Sequence, residues 1–182
     1  AAQRVGLPAE LVDTTSLPFD VAAAVRFPDQ LHLHPVRYLA GLARAVIAGG
    51  GEIAEGSRVS RIDDKAGSVR AVTAGGSVQA SWAVLATLLP IGVTGGLFAR
   101  TTPAHSHGLA VRLRRPAPTE MTICADTPSR STRPWDPADP TTMIVVGHGH
   151  TTGSGDPARA RADLERWVDE TFDLASVEHR GS

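Results

Sequence analysis

Histidines in a repeated spacing are the residues of this chain best suited to chemistry. Six of the seven fall in H-x-H pairs, namely His32 with His34, His105 with His107, and His148 with His150. Because residues i and i+2 of a strand point to the same face, each pair offers two imidazoles to one metal ion, and a nearby Asp29, Asp126 or Asp156 would complete the site. His34 is also placed to cap a helix, since a helix-starting proline follows it. A metal-binding module is therefore one candidate function.

A glycine-rich segment at residues 147–155 surrounds the last of these pairs. It follows an apolar run and precedes a helical pattern, which is the placement of a loop that binds an anion through backbone amides and a helix N-terminus. Its spacing fits neither G-x-G-x-x-G nor G-x-x-x-x-G-K-[ST]. We therefore interpret it as a mobile loop that borders a site.

Residues 105–113 alternate between bulky and small or polar side chains, as expected for a strand with two different faces. The bulky set is His105, His107, Leu109, Val111 and Leu113, and the other set is Ser106, Gly108, Ala110 and Arg112. Arg112 is a candidate carboxylate clamp, because a guanidinium binds a carboxylate through two parallel hydrogen bonds. The alternative is a solvated strand arginine beside Arg114 and Arg115.

Composition and charge argue against several other classes of function. The chain is 42% hydrophobic and 20% charged, which is typical of a globular domain. A net charge of −1 and an aromatic content of 4% provide no surface for nucleic acid or an anionic membrane. No apolar run approaches the ~20 residues of a membrane-spanning helix, and the single cysteine, Cys124, fits a reducing compartment. We expect a cytoplasmic protein without nucleic-acid or membrane partners.

Nucleophilic catalysis has little support in the sequence. Cys124 lies in a predicted strand, where a buried thiol is usually inert. No G-x-S-x-G turn occurs, and Asp63 and Asp64 belong to a predicted turn at residues 63–67.

Two amphipathic helices are predicted from the hydrophobic spacing. The first spans Pro35–Ala48 and starts at a proline, and the second spans Pro157–Phe172 with Asp156 as its N-cap. The expected buried stripes are Leu39, Leu42, Ala43, Val46 and Ile47 in the first helix, and Ala160, Leu164, Trp167, Val168 and Phe172 in the second.

The remaining elements are predicted to be mostly short strands. They lie at residues 21–27, 52–54, around Val59, at 69–73 with 78–80 as a hairpin, and at 82–86, 105–113, 121–125 and 143–146, with 121–125 as the partner of 105–113. Residues 9–13 are expected to form a short helix and residues 127–141 a loop. No closing strand or helix is expected near the end of the chain.

The order of parts from residue 34 to residue 90 resembles one half of a flavin-binding domain. A helix runs into three glycines, a short strand and the Val59 strand follow, and after a hairpin the apolar run 82–86 ends at Thr87. This order is similar to the middle of FAD-dependent oxidoreductases of the D-amino-acid oxidase and glycine oxidase type.

The resemblance implies an α/β (α+β) fold in which a partial FAD-binding domain of helix plus sheet accompanies a largely antiparallel substrate-domain sheet. The implied boundaries are a lead-in at residues 1–34 that belongs to the substrate domain, a partial FAD-binding domain at 35–90, and part of the substrate-binding domain at 91–182.

The resemblance also implies which residues approach FAD. The backbone of Val59 would pair with the adenine edge, and Ala86, Thr87 and Leu88 would form the strand end that passes the cofactor. Leu88 stands where many relatives have glycine. The alternative is that all four are plain sheet positions.

In the substrate domain, the resemblance implies that the sheet covers the flavin. Arg112, His148 and His150 would then contact a small-molecule substrate such as an amine or amino acid. The cofactor would accept the hydride, while the protein orients the substrate and excludes water.

The pyrophosphate cradle of a flavin enzyme has no counterpart in the sequence, because no G-x-G-x-x-G turn occurs in the 182 residues. We therefore expect an internal piece of a longer enzyme, whose N- and C-terminal parts are its partners, and which by itself binds FAD weakly or not at all. Bacterial relatives with a Rieske iron–sulfur domain are similar, although the ligand pairs of that domain are absent here. An apolar surface left uncovered predicts a homodimer. A non-catalytic interaction domain is a further alternative.

Overall fold

A computed structural model describes residues 2–65, 67–88, 96 and 99–181. After a short 3₁₀ helix at Ala2–Val5, the elements are β1 (Glu10–Val12), β2 (Ala24–Arg26), α1 (Pro35–Ala48), β3 (Val59–Lys65), β4 (Ser68–Thr73), β5 (Gly76–Ala80), β6 (Ala104–Leu113), β7 (Thr122–Ile123), β8 (Arg130–Asp136), β9 (Asp139–Thr151), α2 (Pro157–Phe172) and β10 (Leu174–Gly181). The predicted α+β fold class with antiparallel sheets is confirmed.

The chain divides into two compact units, which we call the core unit and the open unit. The core unit is Ala1–Asp29 with Thr102–Ser182, and the open unit is Gln30–Thr101. The predicted boundary between residues 90 and 91 lies outside the described residues. No helix in the described ranges combines the length and the hydrophobicity that a membrane crossing requires.

A five-stranded antiparallel sheet forms the body of the core unit, in the order β10-β6-β9-β8-β7. Helix α2 packs on one face of it, against β6, β9 and β10. The core consists of Leu109, Val111, Leu113, Ala117, Met143, Val145, Leu164, Val168 and Phe172. The predicted alternation of β6 is confirmed, because its bulky residues from His107 to Leu113 are buried beneath α2 while Arg112 is exposed.

Helix α2 has the bounds and the cap that its sequence predicts. Its N-cap residue, Asp156, accepts hydrogen bonds from the amides of Ala158 and Arg159, both at 3.0 Å, which satisfies two otherwise unpaired donors. Leu164, Val168 and Phe172 are buried, as their spacing requires. The helix therefore has a fixed face toward the sheet.

The open unit contains α1 and the antiparallel sheet β3-β4-β5. The predicted bounds of α1 and the predicted β4–β5 hairpin are confirmed. None of the residues of α1 is buried, and Leu39 and Ile47 are 61% and 60% exposed. Among the described elements, α1 packs against no strand. The predicted burial of its stripe is therefore wrong, because no described surface covers it.

Four further predictions in the first hundred residues are wrong. Residues 9–13 contain β1, because pairing with β2 outweighs the local preference for helix. Residues 52–54 and 82–86 form no strand, since apolar side chains without a partner strand make no ladder, and Trp82 is 87% exposed. Strand β3 runs through the predicted turn to Lys65, with Asp63 opposite Arg70 on β4, a favourable pair of opposite charges. The predicted strand at 21–27 is present as the shorter β2.

The second half departs from prediction mainly by having more strand. Residues 127–141 hold β8 and the start of β9 instead of a loop, with Pro134 opposite Met143 just before a register shift. Strand β7 pairs with β8, so its expected pairing with 105–113 is wrong. A closing strand does exist: β10 pairs with β6, and Arg180 donates to both carboxylate oxygens of Glu165 on α2 at 2.7 and 3.0 Å.

Candidate functional site

Two of the three H-x-H pairs meet at one end of the five-stranded sheet. In the register of β6 and β9, His105 lies opposite His150, and His107 lies opposite Gly147. Two residues of β9, His148 and Gly149, therefore stand opposite one residue of β6. This is a β-bulge, and it lies within the predicted glycine-rich loop, whose residues up to Thr151 are strand.

The bulge turns His148 toward the same face as the other histidines. His148 has φ of 53°, in the left-handed region that a residue with a side chain rarely adopts. Arg130 on β8 lowers the pKa of the His148 imidazole and Asp163 on α2 raises it, so the ring lies near both side chains, on the face that α2 covers. A bulge re-aims side chains in this way, and unusual backbone geometry of this kind is common at functional sites.

The result is a cluster of imidazoles, which we call the histidine cluster: His105, His107, His148 and His150. The rings of His105, His107 and His150 are in contact, and His148 lies close enough to His107 to interact with it electrostatically. The ring centroids of His105 and His150 are 4.3 Å apart, those of His107 and His150 are 5.3 Å apart, and those of His105 and His107 are 6.2 Å apart. Nδ1 of His150 lies 3.3 Å from the carbonyl of His148, and Nδ1 of His105 lies 3.2 Å from the hydroxyl of Thr152.

Burial keeps the inner histidines neutral. His107 is only 2% exposed, and neither ring nitrogen has a hydrogen-bond partner. Its burial, followed by the nearby His150 and Arg161, lowers the pKa of His107 below its usual value. The pKa of His148 is lowered by burial and by Arg130, against a smaller opposing effect of Asp163. Both rings are therefore uncharged at neutral pH.

An arginine that the sequence analysis did not single out lies beside the cluster. The guanidinium of Arg130 stacks over the ring of Trp167 on α2, with 4.9 Å to the centroid. Its side chain crosses Gly147, where an added Cβ would come within 3.2 Å of the Arg130 Cγ. The Nε atom of Arg130 is buried without a partner. A guanidinium with an unpaired donor thus lies beside the cluster, within electrostatic reach of His148.

The arrangement of these residues differs from a metal site. Within the described ranges, no group of three or more His, Cys, Asp or Glu side chains is placed to hold a metal ion. Of the aspartates considered as ligands, Asp156 caps α2. In the remaining H-x-H pair, His34 caps α1 by accepting a hydrogen bond from the amide of Arg37 at 3.3 Å, which confirms the capping interpretation.

Arg112 is separated from the histidine cluster. It lies on the opposite face of β6, five residues from His107, which is about 17 Å along a strand. Its guanidinium pairs with Asp139 at 3.3 Å and with Glu178 at 3.6 Å. Hydrogen bonds from Thr142 and Thr141, together with Arg112, lower the pKa of Asp139. The structure therefore brings His148 and His150 together and leaves Arg112 in a separate ion-pair network.

The predicted cofactor contacts lie in the open unit. Val59 is the first residue of β3, an edge strand of the described sheet, and a register shift follows it. Ala86, Thr87 and Leu88 lie in an irregular exposed segment, so their predicted place at a strand end is wrong. Leu88 has φ of 64° and is fully exposed. For FAD, the open unit offers the edge of β3 at Val59, and the sequence contains no G-x-G-x-x-G turn for the pyrophosphate, so the residues present fit only part of the cofactor.

The comparison with protein families agrees with this α+β architecture. A family model described as FAD dependent oxidoreductase matches residues 1–181. The chain belongs to this family of flavin-dependent oxidoreductases. No curated protein matches the chain.

One member of the site, Arg130, was missed by sequence reasoning, and His107 was named only as a candidate metal ligand. The alternation of His107 with Leu109 and Val111 already indicated burial. Arg130 lay in a presumed loop, so nothing indicated that it crosses the strand at Gly147. The unusual combination of Gly147, His148 and Gly149 was the only signal for the bulge.

Proposed function

We propose that this chain serves in the flavin-dependent oxidation of a small molecule, an amine or amino acid, and that His148 and His150 contact the substrate. One observation carries the proposal: in a chain that belongs to the FAD-dependent oxidoreductases, two histidine pairs separated in sequence converge through a β-bulge. The core unit is then the substrate-binding part, and the open unit belongs to the FAD-binding part.

The electrostatics of the cluster suit an amine. The pKa values of His107 and His148 are lowered, so their rings are neutral and can accept a hydrogen bond from an N–H group. Amine oxidation by hydride removal requires the free amine, and a neutral imidazole can accept the proton that an ammonium substrate must lose. The role of the chain in this proposal is to bind and orient the substrate and to exclude water.

The assay for the proposed function uses the FAD-loaded protein that carries this sequence. A panel of amines and amino acids is mixed with it anaerobically, and bleaching of the flavin absorbance is recorded. His150→Ala should raise KM about fivefold, because one hydrogen bond to substrate contributes about 1 kcal/mol. His179→Ala, an exposed histidine on β10, is the matched control. Reduction only by substrates without nitrogen would contradict the proposal, as would equal KM values in the two variants.

Arg112 as a carboxylate clamp has a separate test. Its pairing with Asp139 and Glu178 supports a structural role. Arg112→Met should therefore leave the KM of a carboxylate substrate unchanged within about twofold, since an arginine that binds no substrate contributes nothing to KM. A rise in KM for carboxylate substrates alone would support the hypothesis that Arg112 binds the substrate carboxylate.

For FAD itself, the proposed contribution of the chain is small. The edge of β3 at Val59 supplies a rung for the adenine, and the sequence has no G-x-G-x-x-G turn for the pyrophosphate. The 182-residue chain alone should bind FAD more weakly than about micromolar, measured by titration of flavin fluorescence. Micromolar or tighter binding would show that the chain holds more of the cofactor than proposed.

Self-association is the last part of the proposal. The stripe of α1 is exposed, and an exposed apolar surface of this kind is usually covered by a partner. The chain should sediment as a homodimer, and Ile47→Glu on the stripe should shift it toward monomer. Arg44→Glu on the same helix is the control, since Arg44 lies outside the stripe. A monomeric wild-type chain would contradict this part.

A further inference from the structure

Unpaired buried nitrogens are concentrated at one place in the described structure. Of the six buried side-chain nitrogen atoms without a hydrogen-bond partner, five belong to His107, His148, His150 and Arg130. Leaving one such group unpaired costs about 1–3 kcal/mol, so native proteins keep few of them. Five in one cluster indicate side chains that are arranged to donate to something other than the protein.

The charges around the cluster favour an anion. The four histidines of the cluster come from β6 and β9. The charged side chains around them are Arg130 on β8 and Arg161 and Asp163 on α2. Asp163 is the single acidic group among them, and it already pairs with Arg166 at 2.9 Å. When the imidazoles take up protons, the cluster therefore carries an excess of positive charge.

Solvent reaches the cluster from the end of the sheet. An open depression of about 360 Å3 is lined by Ala104, His105, Ser106, Gly149, His150 and Thr151. His105 and His150 belong both to this depression and to the histidine cluster. His107 lies behind them, with its ring stacked on His150. A small ion can thus contact the outer rings directly, while the inner ring responds to its charge.

We propose that the histidine cluster and Arg130 form a binding site for a small oxyanion, a carboxylate or a phosphate, that is occupied when the histidines are protonated. At neutral pH the buried rings of His107 and His148 are uncharged, so they do not repel one another. Protonation creates mutual repulsion among the imidazolium groups, and a bound oxyanion relieves it. Anion binding and proton uptake must then strengthen each other, because coupling between two ligands is reciprocal.

The test uses the 182-residue chain without FAD, so that its failure is distinguishable from failure of the proposed oxidation. Binding of inorganic phosphate and, separately, acetate is measured by calorimetry at about pH 5.5 and about pH 7.5, on either side of the usual histidine pKa. Ionic strength is held constant with chloride. Phosphate should bind at least tenfold more tightly at the lower pH. Because phosphate itself carries less charge there, such a gain reports protonation of the protein.

Two variants localise the site. His150→Gln should abolish the gain at low pH, whereas the control His179→Gln should retain it. As a second readout that tolerates partial loss of stability, NMR of the imidazole resonances should show that the anion raises the pKa of the cluster histidines and leaves that of His179 unchanged.

The two anions distinguish the source of the ligand. Acetate binding comparable to that of phosphate would support a carboxylate ligand, and binding of phosphate alone would support a phosphate ligand. Equal affinity at both pH values, equal loss in both variants, or no binding of either anion at the lower pH would overturn the proposal.

Discussion

The core unit and the open unit each contain an amphipathic helix, α2 and α1, and only the apolar face of α2 is buried. In α2, Leu164 and Val168 have 0% exposure, while in α1 the equivalent stripe residues Leu42 and Val46 are 46% and 48% exposed. Both helices have the predicted bounds, and both start with a cap and a proline. The difference is the presence of a described sheet face beneath α2 and its absence beneath α1. Amphipathicity thus specifies a helix without specifying what covers it.

The site lies in the unit with the core. The strands that carry the histidine cluster are also the strands that carry the core, since β6 continues from His107 to Leu109 and Val111, and β9 runs from Met143 to His150. A rigid sheet can hold side chains for binding with little loss of entropy. By contrast, three of the predicted FAD contacts, Ala86, Thr87 and Leu88, lie on an exposed segment of the open unit, and the fourth, Val59, is half-buried at the start of β3.

Truncation of a residue in a helix stripe should give the largest difference in stability loss between the two units. Leu164→Ala removes a fully buried side chain and should lower the free energy of unfolding by about 2–5 kcal/mol, because a cavity remains. The matched change Leu42→Ala in α1 should cost less than about 1 kcal/mol. Urea unfolding followed by circular dichroism measures both. Equal losses would show that the α1 stripe is buried as well.

A glycine pair sharpens the same comparison at the site. An added Cβ at Gly147 would lie 3.1 Å from both the Leu164 Cδ1 and the Ser129 carbonyl oxygen. Gly147→Ala should therefore destabilise the chain by about 1–3 kcal/mol through overpacking. At Gly75 in the open unit the nearest atom is 4.0 Å away, so Gly75→Ala should change stability by less than about 0.5 kcal/mol. A neutral Gly147→Ala would mean that α2 is less closely packed than described.

The histidine cluster predicts a smaller, pH-dependent effect. The folded-state pKa of His107 is lowered, whereas in the unfolded chain a histidine titrates near about 6.5. As the pH falls through about 6.5, the unfolded chain binds a proton that the folded chain does not, until the pH reaches the lower folded pKa. Stability is therefore full above about pH 6.5 and falls below it, by at most about 1.4 kcal/mol per pH unit for this group.

Replacement of His107 tests this dependence directly. His107→Leu should flatten the fall in stability between about pH 6.5 and about pH 5 when unfolding is measured in chloride buffer. His179→Leu is the control, because His179 is exposed on β10. The same pH slope in wild type and His107→Leu would contradict the assignment of the acid sensitivity to the cluster.

Local periodicity predicts the helices and the long strand β6 of this fold. It does not predict strands that form only because they pair with another strand. The spacing of Leu164, Val168 and Phe172 requires one buried helical face, and the structure has it. Strand β8 contains Pro134, which cannot donate to a ladder, and so its sequence resembles a loop. Strand β10 is a mostly exposed edge strand and carries no apolar alternation. The partner of β10, strand β6, is far away in sequence.

For the candidate site, composition identified the histidines and topology was needed to assemble them. The H-x-H spacing indicated that His105 and His107 share a face, as they do. Only the register between β6 and β9 brings His150 opposite His105, and only the bulge at His148 keeps both members of that pair on the α2 side. This bulge depends on His148, a residue other than glycine, in the left-handed conformation, which is uncommon and is not indicated by the local sequence.

Residue-resolved hydrogen exchange of the 182-residue chain tests most directly the claim that the core and the candidate site lie in one cooperative unit. The amides of β6, β9 and α2, including those around His107, should exchange only through global unfolding and share one free energy of opening. The amides of α1 and β3–β5 should exchange at least tenfold faster, under conditions in which the chain is monomeric. Equal protection of α1 and α2 in the monomer would contradict the account, as would rapid exchange around His107.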